Sequence, residues 1–354
     1  GHRVAICEQV EDPKLAKGIV KRDVVEIASP GTSISESYLM QGENNYLGSV
    51  VFDKNRLGLS LLDYSTGEFK GIILPTNAMG QIVSQYNIKE LIISESQYET
   101  FYHVIKKYDF LISKVPNWYL DVKISNDYIK NHFKLISLKG YGIENDPLLI
   151  KSAAFALDYV DKNYCGKINH IINYKKIQNN DVMILDSYTV KNLELFKSIA
   201  TGDDNGTLIK SMDNTKTSSG SRLLKKWISR PLTDSKRIKK RLDRIEEMNN
   251  QADIRDSIIR ILNETSDLER ILSKTSANKA NPRDLTFMAS SLQSLEQISR
   301  KVTKKKFHIN HRLIKTKHNL KDLIELINKT IIDEPPLNVL KGSFVRDGIN
   351  SELD

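Results

Sequence analysis

The residues with the most chemical potential are carboxylates. Asp53, Asp63 and Glu68 stand at the ends of three short apolar runs, Leu47 to Phe52, Leu57 to Leu62 and Glu68 to Leu74. Carboxylates clustered on a mixed sheet can hold two magnesium ions for phosphodiester hydrolysis. The same residues also have a plainer reading, because Asp53-Lys54-Asn55 is a turn and Asp63-Tyr64-Ser65-Thr66-Gly67 reads equally well as an Asx-capped turn. Other catalytic signatures are missing. Gly166-Lys167-Ile168 lacks the upstream glycine and the Ser/Thr of a phosphate loop, no Gly-x-Gly-x-x-Gly occurs, and neither His-Glu-x-x-His nor Gly-x-Ser-x-Gly is present. Cys7 and Cys165 have no zinc or disulfide spacing, and both are expected to be small buried residues in a reducing compartment. No metal site is expected.

The second chemical signal is charge. The 354-residue chain carries +9. Residues 1 to 178 hold 21 Lys and Arg against 20 Asp and Glu, whereas 179 to 354 hold 32 against 24, so the excess belongs to the second half. Its densest stretch runs from Arg222 to Arg244 and includes Lys225, Lys226, Arg230, Lys236, Arg237, Lys239, Lys240 and Arg241. Such a stretch fits an anionic partner such as nucleic acid, and it fits equally the solvated faces of long helices.

The elements that must position these groups fall into two textures, and the length predicts more than one domain. Arg3 to Glu8 and Ile19 to Ile27 read as a strand pair joined through Glu11-Asp12-Pro13-Lys14 and closed by a linker, Ser29-Pro30-Gly31-Thr32. The three runs after Tyr46 form an antiparallel meander, followed by helical patches at Met79 to Tyr86, Tyr98 to Tyr108 and Leu148 to Val160 and a strand at Leu91-Ile92-Ile93. That order predicts one α/β domain of mixed sheet. After about Asn180 apolar residues recur at spacings of three and four, as in Leu223, Leu224, Trp227 and Ile228, with breaks at Arg230-Pro231, Asn281-Pro282 and Glu334-Pro335-Pro336, so the second half is predicted to be all-α. Residue 1 is not Met and leads at once into a strand, and the chain ends at Ser351-Glu352-Leu353-Asp354 without a cap, so it is expected to be cut from something longer at both ends. No apolar run reaches membrane-spanning length and no signal or transit peptide opens the chain, so a cytoplasmic address with no membrane partner is expected.

Individual words of the sequence then resemble those of the MutS family of bacterial DNA mismatch-repair ATPases. Val4-Ala5-Ile6-Cys7-Glu8-Gln9, Glu11-Asp12-Pro13-Lys14, Lys17-Gly18-Ile19-Val20-Lys21-Arg22 and Pro30-Gly31-Thr32 resemble the end of its mismatch-reading domain. Leu62-Asp63-Tyr64-Ser65-Thr66-Gly67-Glu68-Phe69 resembles its connector, an RNase H-like fold without nuclease activity. The run Leu185 to Leu195, with Asp186, Asn192 and Glu194, and Gly206-Thr207-Leu208 resemble the start of its helical core, or lever. The fullest match is Met212 to Trp227, with Asp213, Thr215, Thr217, Gly220 and Arg222, followed by Arg230-Pro231-Leu232, Asp267-Leu268-Glu269-Arg270, Pro282-Arg283-Asp284-Leu285, Ile332 to Leu337 and Gly348 to Asp354.

The resemblance implies three parts: 1–32, the tail of the mismatch-binding domain; 33–178, the RNase H-like α/β connector; and 179–354, part of a long-helix lever. It implies mismatched double-stranded DNA as partner, a homodimer, a downstream MutL-type repair protein, ATP and Mg2+ in the parent protein, and a bacterial, nucleoid-associated location. The family's mismatch wedge, Phe-x-Glu, and its Walker motifs are absent from this sequence, so the chain's own share is coupling between DNA and an ATPase elsewhere. Lys21 and Arg22 are the candidates for phosphate contact. Glu26 stands where many relatives carry Arg, and a carboxylate there would repel phosphate. Asp213 and Thr215 fit a coupling hinge or a local turn before the next helix, Trp227 a core anchor, and Asp267 with Arg270 an exposed helix-face pair contributing a few tenths of a kcal/mol. Two other readings stay open, an RNase H-like nuclease with a helical appendage and a helical interaction scaffold without DNA.

Overall fold

The computed structural model describes residues 2–9, 11, 18–117, 121–178, 180–304, 320–337, 339 and 342–349. Asp12, Pro13, Lys14 and Lys17 of the first turn, and Asn350 to Asp354, lie outside the described residues. The chain divides into two compact units, one of residues 1–180, 184–211 and 272–278, the other of 181–183, 212–271 and 279–354.

The first unit opens with an antiparallel ribbon, β1 (Val4–Gln9) and β2 (Arg22–Ala28), paired from Gln9 with Arg22 to Val4 with Ala28. A meander follows, β3 (Tyr46–Asp53), β4 (Arg56–Asp63) and β5 (Glu68–Pro75), then α1 (Met79–Tyr86), β6 (Ile88–Ser94), α2 (Glu95–Ile105), β7 (Leu111–Val115), α3 (Val122–Phe133), α4 (Pro147–Asn163), the short β8 (Lys175–Lys176) and α5 (Ser187–Asn192). The sheet order is β7-β6-β3-β4-β5-β8, antiparallel through the meander and parallel where β6 meets β3 and β7 meets β6. A meander whose first strand then gains two parallel neighbours on its other side is the RNase H-like order, as expected.

The strands read as near-continuous apolar runs because both sheet faces are covered. Tyr46, Val50, Phe52, Leu57, Leu59 and Leu61 turn to α1 and α2. Leu47, Val51 and Leu62 turn to α3 and α4. The alternation follows the pleat, and the register that sets Leu47 beside Leu62 and Phe52 beside Leu57 keeps each face consistent. Most of α4 is buried, which explains its largely apolar sequence. It crosses the sheet so closely at Gly58 that a Cβ there would lie 2.6 Å from the Leu148 carbonyl.

α6 (Leu208–Met212) leads into the helical region, which continues with α7 (Ser218–Ser229), α8 (Ser235–Asn249), α9 (Ala252–Asn263), α10 (Leu268–Ser276), α11 (Pro282–Lys304) and α12 (Leu320–Thr330). The breaks at Pro231 and Pro282 fall where expected. Asn281 and Asp284 exchange side-chain to backbone hydrogen bonds of 2.9 Å each, a reciprocal cap with Pro282 at the first helical position. α12 ends before Pro335, at Thr330, because Ile331 bridges to Val345 and Arg346 Nε donates to the carbonyls of Asn328 and Ile331 at 3.0 Å. The cores here are small: Ile271, Met288, Ala289, Ile327 and Ile331 form one, and Ile258, Ile298 and Val302 another.

The expectations for Cys7, Cys165 and Trp227 are corrected. Cys7 and Cys165 are both exposed. Cys7 lies on β1, whose six residues are all exposed, and Cys165 follows the end of α4 in a left-handed conformation with φ 51°. Trp227 is 39% exposed and Leu223 48%, so the α7 stripe is not a core anchor. The buried residues of that helix are Arg222 and Ser229.

Candidate nucleic-acid interface and coupling site

Lys21 and Arg22 enter the outer end of the ribbon. Both are exposed, and burial increases along β2 toward Ala28. The Lys21 amide donates to Glu11 Oε2 at 3.2 Å, which fixes the backbone at the ribbon's outer end beneath the two exposed cations. Cations so placed can neutralise phosphates without reading sequence. Glu26 is only 6% exposed, so its carboxylate lies inside the ribbon's base and is not presented to phosphate.

The nuclease geometry fails on position. Asp53 pairs with Arg56 at one end of β4 and Asp63 with Glu68 at the other, seven strand steps or roughly 24 Å away, whereas two-metal sites need ions about 4 Å apart. Asp63 is fully buried and spent on structure. It accepts from Asn44 Nδ2 at 2.7 Å, the Asn45 amide at 3.2 Å, and the Ser65 amide and hydroxyl at 3.0 and 2.7 Å. This is the Asx turn. Glu68 accepts from Tyr46 OH at 2.7 Å and pairs with Lys70 at 3.1 Å. Lys70 itself is buried between the rings of Tyr46 and Tyr86, 4.7 and 4.4 Å from their centroids. Burial first, and then the carboxylates of Glu68 and Asp63, hold the Tyr46 hydroxyl well above the usual phenol value.

The stretch Gly166 to Ile168 does not fit a nucleotide phosphate. The amides of Gly166, Lys167 and Ile168 donate to Asp161, Tyr164 and Gly166 carbonyls, so none is left to cradle a phosphate. Among the described residues no group of three His, Cys, Asp or Glu could hold a metal ion.

The motif residues between 186 and 283 form local caps and one buried ion pair. Asp186 caps α5, accepting from the Thr189 amide at 2.6 Å, and that bond holds its carboxyl below the usual range. Asn192 ends the helix exposed. Glu194, at φ 45°, turns the chain back, its Oε1 accepting from Ser198 Oγ at 3.2 Å and the Ile199 amide at 2.5 Å.

Asp213 makes the turn before α7, with Oδ1 accepting from the Thr215 amide and hydroxyl at 3.1 and 2.6 Å, while Oδ2 accepts from Ser221. Thr217, not Thr215, is the cap of α7, accepting from the Gly220 amide at 3.1 Å. A Cβ at Gly220 would come within 3.0 Å of that hydroxyl.

Arg222 is 2% exposed and grips Asp267 with two parallel bonds of 2.7 and 2.8 Å, with Glu269 as a further partner. Burial works against charge at both ends of this pair. The hydrogen bonds and charges of the partners outweigh it, so the guanidinium is raised and the Asp267 carboxyl lowered. Arg270 lies 3.7 Å from Asp267 and is itself buried, so this is not the exposed helix-face pair that spacing suggests; Arg222 takes the better geometry because it arrives from another helix. Trp227 carries the Arg241 guanidinium over its ring at 3.9 Å. Arg283 donates to the Pro335 carbonyl at 3.1 Å.

Sequence reasoning missed the buried Glu90 and Lys70. The only signal for either was a charged residue interrupting an apolar strand run.

Fold and geometry together define a multidomain chain, an RNase H-like sheet module and a helical module, in which Asp63, Glu68 and Asp267 are engaged in turns and ion pairs. The comparisons with known proteins make the class specific. Family models described as MutS domain I, MutS domain II and MutS domain III match residues 1–37, 45–171 and 188–352 in that order. Proteins named DNA mismatch repair protein MutS from Halothermothrix orenii and Lachnoclostridium phytofermentans are 37% and 33% identical over all of this chain, which covers 40% and 38% of their lengths. One from Cytophaga hutchinsonii is 33% identical, again over the whole chain and 41% of the relative. The chain belongs to the MutS family. It spans about 40% of the length of the curated relatives it matches.

Proposed function

We propose that this chain serves DNA mismatch recognition and the initiation of repair, as the stretch of a MutS-type protein that couples DNA contact to an ATPase. In this reading 1–32 ends the mismatch-binding domain, 33–178 is the connector and 179–354 the first part of the lever. The parent protein would take mismatched double-stranded DNA, ATP and Mg2+, act as a homodimer, hand on to a MutL-type protein and work in the cytoplasm at the nucleoid. Lys21 and Arg22 contact phosphate. Asp186, Asn192, Glu194, Asp213, Thr215, Thr217, Gly220, Arg222, Trp227, Asp267, Arg270 and Arg283 hold the helical part in a defined shape, with Arg222 and Asp267 at its centre.

One observation carries the reading: the ribbon that ends in exposed Lys21 and Arg22 is joined to an RNase H-like sheet whose carboxylates are committed to turns and ion pairs. The test is binding to a short duplex, with and without a mismatch, over a series of salt concentrations. Salt-sensitive binding without mismatch preference is expected, because the cations are here and the aromatic wedge is not. Replacing Lys21 and Arg22 by Ala should lower the slope of log affinity against log salt by about 1 for each phosphate no longer neutralised. An unchanged slope would remove both from the interface, and magnesium-dependent cleavage abolished by Asp63→Ala would restore the nuclease.

A further inference from the structure

Glu90 is a carboxylate in the middle of β6 with no exposed surface. An ionised group so placed must be satisfied by hydrogen bonds, or its burial would cost several kcal/mol. It is satisfied from two directions. On the sheet side, Oε1 accepts from Ser113 Oγ on β7 at 2.7 Å and from Tyr159 OH on α4 at 2.5 Å. On the other side, Oε2 accepts from Ser29 Oγ and from the Gly31 amide, the latter at 3.1 Å. Ser29 and Gly31 belong to the segment that leaves β2, read from sequence as a linker.

That segment is fixed at every residue. Asn45 Nδ2 donates to the Pro30 carbonyl at 2.8 Å and Tyr164 OH to the Thr32 carbonyl at 2.6 Å. The hydroxyls of Ser29 and Thr32 bond each other at 2.9 Å. A Cβ on Gly31 would lie 2.7 Å from Glu90 Cβ, so only glycine can come this close. The other end of the ribbon's base is held too, since the Arg3 guanidinium lies 5.3 Å from the centroid of the Tyr159 ring that donates to Glu90.

We propose that Glu90 is a positioning residue that clamps the base of the β1–β2 ribbon to the connector sheet, so that the ribbon moves as a rigid extension of β6, β7 and α4 and not as a domain on a flexible tether. The proposal rests on the reading of the ribbon as the DNA-side element. In mechanical terms the ribbon is a cantilever. Its exposed tip carries Lys21 and Arg22, and a load on the tip passes through Ser29 and Gly31 into the sheet.

The test uses the whole chain with a nitroxide on Cys7, which is exposed on β1, after Cys165→Ser removes the other thiol. Glu90→Gln leaves the shape but sets an amide that must donate against the Gly31 N–H or against Ser113 and Tyr159. It should mobilise the Cys7 label and speed amide exchange across residues 24–32 by tenfold or more. Ser29→Ala removes one ribbon-side donor and should do the same more weakly. Ser113→Ala removes a donor to the same carboxylate from the sheet side; it should lower thermal stability without mobilising the label. Equal label spectra in all folded variants, or mobilisation by Ser113→Ala as strong as by Ser29→Ala, would overturn the clamp. If Glu90→Gln does not fold, the Ser29 and Ser113 pair decides. None of these readouts involves DNA, so a failure of duplex binding would count against the proposed function and leave the clamp standing.

Discussion

The two units solve the burial of charge in different ways. In the sheet unit the buried carboxylates Asp63 and Glu90 sit inside a thick apolar sandwich and are satisfied by neutral donors, while the buried Lys70 pairs with Glu68. In the helical unit the apolar clusters are small, and the most buried charge, Arg222, is matched by opposite charges on Asp267 and Glu269. α8 buries no residue at all, and Ile238, Leu242 and Ile245 on it are exposed. The difference teaches where each unit keeps its stability: the first in apolar area on two sheet faces, the second in caps and in the ion-pair cluster around Arg222, with little core between its described helices.

The sharpest way to break that comparison is at Arg222. Arg222→Ala takes from the half-buried Asp267 its two-bond partner and leaves it Arg270 at 3.7 Å; it should cost up to about 3 kcal/mol in the helical unit, read as faster amide exchange in α7 and α10. Exchange confined to α7 would show that the pair does not join the helices. The matching test in the sheet unit is Leu61→Ala, at a fully buried position on β4; it should cost about 2–5 kcal/mol and register in β3 to β5.

Acid separates the units by pH. Burial holds the His170 ring below the usual imidazole value while its ring nitrogen bonds the Tyr64 carbonyl at 2.7 Å. The unfolded chain therefore takes up this proton first, and the sheet unit should lose stability as pH falls below about 6.5 toward the lower folded value. Asp267, whose carboxyl is lowered, contributes above the unfolded value of about 3.9 and loses that contribution as pH falls through its folded value. Melts followed by segment-resolved exchange should show the sheet unit responding first, and His170→Gln should abolish that early response.

Smaller effects sharpen the picture. Thr217→Ala removes the α7 cap and should cost about 1 kcal/mol. Leu242→Ala, 57% exposed, should stay within about 0.5 kcal/mol, and a larger loss would mean that α8 is packed more firmly than its surface implies.

Much of this architecture was legible in the residues. Meander, helices and prolines could be placed because local patterns carry them: period two or continuous apolar runs for strands, spacings of three and four for helices, and missing amides at Pro231 and Pro282. The Asp213–Thr215 turn before α7 was legible for the same reason, since its bond spans only two residues, while the cap falls on Thr217 instead of Thr215. What failed was partnership across distance. Trp227 looked like core because its neighbours are apolar, yet whether a helix face is covered depends on elements far along the chain. Asp267 and Arg270 looked like partners by spacing, while the stronger partner, Arg222, lies 45 residues away.

The sequence by itself determined the meander, most helices and the family the chain resembles, because these follow from neighbouring side chains and from words that stand in a fixed order; β7, α3 and the end of α12 at Thr330 were not read from it. The tertiary structure alone decided that Ser29 to Thr32 are hydrogen-bonded at every residue, that Glu90 and Lys70 are inside, and that Asp53 and Asp63 never meet. Those outcomes depend on strand order and register, which bring together groups tens of residues apart or hold neighbours at opposite ends of a sheet, and no local propensity encodes either.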